Sequence, residues 1–336
     1  MAPKVLKTTD FKNIYSTQAF YSASSIFGWT LVYLYLVLKN FTYIDLAIFT
    51  VITYIAPLLI LVNTIKMRNL SSMKLGIALK ILTFIAVILA QDIWGLVAVG
   101  VLLGASRVFY WVPYNVNLLS LGKNNAGLLS GMAFALPSFF QIVLPALGGI
   151  VAELYGFEFV FMLCGLLLVG SMWRTSKIKT NNILHYDSKS SWHNSPGVKT
   201  LMVIHGFWQS VNWTAVPLIT IFFITNPIHF GTFYTYLGIV GALASIILRH
   251  KTDKNKNRQK IIYPTVIILS IATFVSGFTT GIIFWIIARG IISFLDNIAA
   301  PFVFSIVVDN HNDLSHSFIA HEISISIGRT LGAIAV

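Results

Sequence analysis

Apolar runs of about 20 residues, separated by short polar stretches, recur along almost the whole chain. At about 1.5 Å per helical residue, such a run matches the hydrocarbon thickness of a bilayer. The runs are continuous rather than alternating at every second residue, and within lipid only helices and closed barrels satisfy their own backbone. The pattern therefore predicts membrane-spanning helices and not strands. Spans are predicted at 15–38, 43–65, 73–90, 93–119, 126–153 and 157–173. A polar linker follows over 174–197, then spans at 198–224, 231–248, 261–278 and 281–308, and a last segment from about Ser317. The expected architecture is all-α and integral to the membrane, with ten complete spans and part of an eleventh.

Composition agrees. The 336 residues are 56% hydrophobic and only 10% charged, and the mean hydropathy of +0.79 excludes a water-soluble globular domain. The formal net charge of +12 raises the possibility of nucleic-acid binding. However, the cations sit in short loops between spans and not along one aromatic-studded face, so no nucleic-acid partner is expected. Their distribution reads instead as topology. Lys4, Lys7 and Lys12 precede span 1; Lys66, Arg68 and Lys74 follow span 2; Lys123 follows span 4. Arg174, Lys177, Lys179, Lys189 and Lys199 mark the linker, and Arg249, Lys251, Lys254, Lys256, Arg258 and Lys260 follow span 8. Only Lys39 lies on the other side. The amino terminus and linker are thus expected in the cytoplasm, and the chain is expected in the plasma or inner membrane. Residues 1–10 lack an apolar core and small-residue cleavage site, so span 1 is expected to be the insertion signal. Cys164 stands alone inside an apolar run and reads as a small core hydrophobe.

A faint internal repeat is visible. Leu147-Gly148-Gly149-Ile150 in span 5 recurs as Leu331-Gly332-Ala333-Ile334 in the last segment. Spans 4 and 10 each carry an arginine and a later proline, Arg107 with Pro113 and Arg289 with Pro301. The repeat makes the last segment span 11, and by symmetry half of that span and a twelfth are missing, as in a truncated chain. Coincidence in a Gly/Ala/Leu-rich composition is the alternative.

Six spans, a cytoplasmic linker and further spans resemble the major facilitator superfamily along essentially the whole chain. Span 5 looks like that family's fifth helix: Pro145, Gly148 and Gly149 match G-x-x-x-G-P-x-x-G-G, with Phe140 and Leu144 at the earlier glycine positions. The loop after span 2 keeps Lys66, Arg68 and Lys74 of the family's charged signature. The loop after span 8, with Gly241 followed by Asp253, Lys254, Arg258 and Lys260, is closer to it and implies a cytoplasmic charge latch. Arg107 matches the arginine of R-x-x-x-G in span 4, with Trp111 at the glycine. The resemblance implies two helical bundles, 1–173 and 198–336, joined by the linker 174–197.

Charges within spans cost at least about 2.5–3.5 kcal/mol on insertion scales, so each needs a partner, a water-filled cavity or an interface. They are Lys80, Arg107, Arg289, Asp296, Glu322 and Arg329. Arg289 and Asp296 share one helical face, as do Glu322 and Arg329, since each pair is seven apart. Seven residues span about 10 Å of axis, which favours cross-pairing between helices, Asp296 with Arg329 or Glu322 with Arg289. A partly compensated Glu322, or second Asp296, can carry a transported proton; the alternatives are a permanent ion pair or a carboxylate reaching the interface. Lys80 is expected to reach the cytoplasmic surface along its alkyl stem. Arg107 lies deeper and can meet an anionic solute or a buried carboxylate. His205, Gln209 and Asn212 fall on one face of span 7; Tyr114 and Asn115 in span 4 and Gln18 and Tyr21 in span 1 add polar groups. Together they can line a solute cavity or merely bond helices together. His311, His316 and His321 have no compact ligand spacing, and neither metal nor cofactor is expected. Gly100 and Gly104 are expected to serve helix packing.

No phosphate-cradling G-x-x-x-x-G-K-[ST], nucleophile elbow or H-E-x-x-H occurs, so neither ATP-driven transport nor an enzyme is expected. What remains is a monomeric secondary transporter of a small solute, working by alternating access and coupled to protons. The competing reading is a sensor or assembly factor that keeps a transporter fold.

Overall fold

The computed structural model describes residue 6 and residues 8–64, 66–121, 126–179, 183–193, 198–252, 259–309 and 314–336. Span 1 is helix α1, Thr9–Leu38. Its middle, Ser25–Trp29, is π-helical, an extra residue in the turn that turns Ser25, Ile26 and Trp29 toward the interior. The widened turn lies against Cys164: Ser24 Oγ donates to the Cys164 carbonyl at 3.0 Å, and Cys164 Sγ donates to the Ser24 carbonyl at 3.4 Å. The chain leaves α1 through Asn40 at φ 67°, in the left-handed region that asparagine tolerates at helix ends.

Helix α2 (Tyr43–Asn63) opens on a capping box, in which the Thr42 hydroxyl accepts from Asp45 N and the Asp45 carboxylate accepts from Thr42 N. Helix α3 is Asn69–Leu89; Lys39 Nζ caps its end by donating to the Ile88 and Ala90 carbonyls at 2.8 and 2.9 Å. Helix α4 (Ile93–Ser120) begins at Asp92, whose carboxylate accepts from Gly95 N at 2.8 Å. Gly100 and Gly104 let α4 lie on α2, since a Cβ there would stand 3.0 and 2.7 Å from the carbonyls of Phe49 and Thr53. Between α3 and α4, Asn69 Nδ2 donates to Asn117 Oδ1 at 2.7 Å, both side chains being buried. Asn69→Ala would strand the Asn117 oxygen. It is expected to cost about 1–3 kcal/mol, read as a lower midpoint of thermal unfolding in detergent; an unchanged midpoint would show the pair to be dispensable.

Span 5, predicted as one helix, is two: α5 (Ala126–Gln141) and α6 (Leu144–Tyr155). Pro145 brings no N–H to the ladder, and the amides of Ile142 and Val143 turn back tightly to the carbonyls of Phe139 and Phe140, 3.2 Å each. Gly156, at φ 88°, turns the chain into α7 (Phe157–Thr175). The linker is docked. Its strand β2 (Ile183–His185) pairs antiparallel with β1 (Lys66–Arg68), and helix α8 (Ser188–His193) anchors through Ser188 Oγ donating to the Leu61 carbonyl at 2.6 Å. Helices α9 (Val198–Phe223), α10 (Pro227–Thr252), α11 (Gln259–Ser276), α12 (Ile282–Asp309) and α13 (Leu314–Ala335) complete the chain.

Helices α1 to α4, α7, the α5–α6 pair and a stretch of α12 are each long and apolar enough to cross a membrane. Their outer faces carry large apolar side chains such as Ile44, Leu89, Trp94 and Ile283, each about 70% exposed or more, a band suited to lipid and not to water.

Two seams join the first six spans to the remainder. At one, α5 and α6 lie on α10; at the other, α2 lies on α13. A Cβ at Gly149 would collide with the Pro227 carbonyl, one at Gly231 with the Pro145 carbonyl, and one at Gly238 with the Gln141 carbonyl. The end at which α2 and α10 begin is closed further by Tyr43 stacked on Phe222, ring centroids 5.0 Å apart, and by Asn226 Nδ2 donating to Glu153 at 3.2 Å. The weak sequence repeat has a geometric counterpart. Gly148 packs on the Phe27 carbonyl of α1, and Gly332 packs on the Phe207 carbonyl of α9, so both glycines of the repeat meet a helix carbonyl.

Candidate functional site

A cavity of about 530 Å3 lies between the two groups of helices, lined by side chains from α1 to α5, α9, α10 and α13. Eight of the expected site residues meet there: Arg107, Tyr114, Asn115, His205, Gln209, Asn212, Glu322 and Arg329. On the wall formed by α1, α4 and α5, Tyr114 donates its hydroxyl to Gln18 Oε1, and Gln18 Nε2 donates to the Ala133 carbonyl at 2.9 Å. Tyr21, Tyr110 and Tyr114 form a stack, with Tyr21 and Tyr110 centroids 3.6 Å apart and Trp111 edge-on.

The wall formed by α9 and α13 is a polar chain. Gln209 Oε1 accepts from Arg329 Nε and Nη2 at 3.1 and 2.8 Å, which fixes the amide and points its nitrogen at His205 Nε2, 2.9 Å away. Because the amide nitrogen only donates, His205 Nε2 is the acceptor and its proton sits on Nδ1. Arg329 Nη1 stands 3.9 Å from Glu322 Oε2, and His321 Nδ1 3.7 Å from Glu322 Oε1.

The expected cross-pairs are not formed. Glu322 and Arg329 are partners along α13, their long side chains leaning together across two turns that the axial distance alone set too far apart. Helix α9 takes the other charges: Arg289 Nη2 donates to Asn212 Oδ1 at 2.9 Å, and Asp296 Oδ1 accepts from Trp208 Nε1 at 3.0 Å. Arg289 and Asp296 therefore lie behind the cavity and not in its lining, Arg289 reaching it only through Asn212.

Lys80 departs from expectation most. It is 4% exposed and lines the cavity, with Nζ 4.2 Å from the Trp29 ring centroid and 5.4 Å from that of Phe84. It belongs to the buried stripe Met73, Gly76, Ile77, Lys80, Thr83, Phe84 and Val87, so its stem has no lipid-facing route to the surface. Arg107 sits between Tyr54 and Trp213, 5.3 and 5.6 Å from their ring centroids, and Arg329 is 5.1 Å from Trp213. The Nη1 of Arg107 is buried with no hydrogen-bond partner. Trp29, Tyr54 and His321 are cavity residues that pattern reading missed. Trp29 owes its position to the π-turn, and Tyr54 falls on the buried face of α2 with Phe49, Thr50 and Thr53.

Pro145, Gly148 and Gly149 lie on α6 at the helix break and seam. Asp253, Lys254 and Arg258, the expected latch, and His311 fall outside the described residues. Among the described residues no three His, Cys, Asp or Glu side chains converge as metal ligands would.

No family model and no curated protein matches the sequence. Solved structures do. A D-xylose–proton symporter aligns with a TM-score of 0.70 at 11% identity, over 97% of this chain and 87% of that one. The human organic anion transporter TETRAN aligns with a TM-score of 0.72 at 9% identity, over 99% and 93%. The E. coli fucose:proton symporter aligns with a TM-score of 0.66 at 13% identity, over 97% and 90%. At such identities the likeness is one of fold. The chain is a multi-pass membrane protein with the fold of major facilitator superfamily transporters.

Proposed function

We propose that the protein is a secondary active transporter that carries a small solute across the membrane by alternating access and couples the movement to protons. The observation that carries this reading is one central cavity whose wall is shared between 1–173 and 198–336, with buried ionisable groups of both halves converging on it. The two halves are taken as bundles that rock about that cavity, with 174–197 as the cytoplasmic tie. The glycine-tight seam at the start of α10 supports a state closed at the non-cytoplasmic end. The distribution of Lys and Arg supports a cytoplasmic amino terminus in the plasma or inner membrane. Two of the structures of like fold are, by name, proton symporters for sugars and the third an organic anion transporter.

Glu322 is the proposed proton carrier. It lines the cavity and faces both Arg329 and His321. Protonation would remove its attraction for Arg329, free the guanidinium to bind elsewhere in the wall, and so link proton occupancy to the shape of the site.

The test is uptake into proteoliposomes, over a panel of sugars, amino acids, organic anions and amphipathic cations. Wild type is expected to accumulate at least one solute when a proton gradient is imposed. Glu322→Gln is expected to lose that accumulation while keeping solute exchange at equal pH. If folded wild type moves nothing under any gradient, the reading of a sensor or assembly factor takes its place.

A further inference from the structure

We infer that the cavity takes an organic anion with a flat apolar body. The inference rests on the reading of this cavity as the solute site and names what it would hold. Lys80, Arg107 and Arg329 line the same space as Glu322, and among the described residues no other carboxylate does. Arg329 is held by Gln209 and Glu322. Lys80 and Arg107 lie against aromatic rings, Trp29 and Phe84 for the amine and Tyr54 and Trp213 for the guanidinium, and Arg107 also lies within electrostatic reach of Glu322, the carboxylate that Arg329 already engages.

A ring face offers a cation far less than water does, and three cations share the single carboxylate Glu322, so the lining carries an excess of positive charge. Three other acids of the described helices are engaged elsewhere: Asp296 with Trp208, Glu158 with Tyr35, Glu153 with Asn226. The buried, unpartnered Nη1 of Arg107 marks where an acceptor is missing. An anionic group between Lys80 and Arg107 supplies it. Trp29, Tyr54, Trp111 and Trp213 then offer ring faces and edges to a flat remainder, within a volume suited to a small organic molecule. A neutral sugar would leave the excess positive charge uncompensated, and an amine would add to it.

Three probes with one ring system and different charge decide between these: 1-naphthylacetate, 1-naphthylacetamide and 1-naphthylmethylamine, titrated calorimetrically into the full chain in nanodiscs with empty nanodiscs as blank. The acetate is expected to bind at least about tenfold more tightly than the amide, with the amine weakest. Arg107→Gln and Lys80→Met are each expected to erase most of that preference, and Arg107→Lys to keep it. The wild-type ranking needs no variant to fold. The inference is overturned if the acetate fails to bind, or if the amide or the amine binds as tightly as the acetate. Solute flux is read separately. Flux of a sugar or amine without anion binding would sink this inference and leave transport standing, whereas anion preference without flux under any gradient would do the reverse.

Discussion

Replacing Gly231 with valine is expected to abolish solute flux, leaving less than about a tenth of the wild-type rate in proteoliposomes. The first carbon of the new side chain would collide with the Pro145 carbonyl oxygen, across the seam between α10 and α6. A flexible side chain could move aside, but a helix carbonyl can yield only if the backbone moves. Overpacking of this kind costs about 1–3 kcal/mol where backbones must separate. Here the separation falls on the surface that the proposed cycle must close and reopen, so the closed state is what the substitution penalises. Gly149, facing Pro227 in the same seam, predicts the same result for Gly149→Val. Cross-linking separates a closure defect from misfolding. With Cys164→Ala as background, Tyr43→Cys and Phe222→Cys replace rings now stacked 5.0 Å apart, and their cross-link should form readily. Gly231→Val should weaken that cross-link while the protein stays monodisperse. Undiminished flux together with an undiminished cross-link would mean that the seam does not need to be this tight.

Much of this architecture can be read from the sequence, because lipid imposes a single solution on the backbone. Long apolar runs must be helices, and alternate loops rich in lysine and arginine order them. Gly148 and Gly332, which the sequence pairs by motif, each meet a helix carbonyl, Phe27 of α1 and Phe207 of α9. The site was legible residue by residue but not pair by pair. Polar groups at i, i+4 and i+7 on α9 place His205, Gln209 and Asn212 on one wall. Spacing says nothing about which helix intervenes, and α9 lies where it can take Arg289 through Asn212 and Asp296 through Trp208, leaving Glu322 to Arg329. The π-turn at Ser25–Trp29 depends on a tertiary neighbour, Cys164, whereas the break after Gln141 has a local cause in Pro145, which an apolar run of spanning length conceals. Lys80 was misjudged for a different reason. It lies on the apolar stripe of α3, and burial of that stripe against neighbouring helices outweighs the ease with which a lysine stem reaches a membrane surface.

The second large effect is expected at Glu322 and Arg329 taken together. Both side chains are about 10% exposed, and their charged atoms are 3.9 Å apart, so each charge depends on the other within a nearly dry wall. Glu322→Ala removes the counter-charge of Arg329 in a space that already holds Lys80 and Arg107. Stranding one member of a buried pair costs about 3–5 kcal/mol, and thermal unfolding in detergent should show a drop of that size. Arg329→Met alone should cost less, because Glu322 keeps His321 at 3.7 Å and shares the cavity with two other cations. The double variant, Glu322→Met with Arg329→Met, should recover a large part of the loss from Glu322→Ala, since it removes the stranded charge and fills the space with apolar volume. Stability and transport should then part company. The double variant is expected to be folded and unable to couple solute to protons, as a proton carrier at Glu322 requires. If instead Glu322→Ala unfolds no more readily than wild type, the pair holds neither the bundle nor the site, and Arg329 is kept by Gln209 alone.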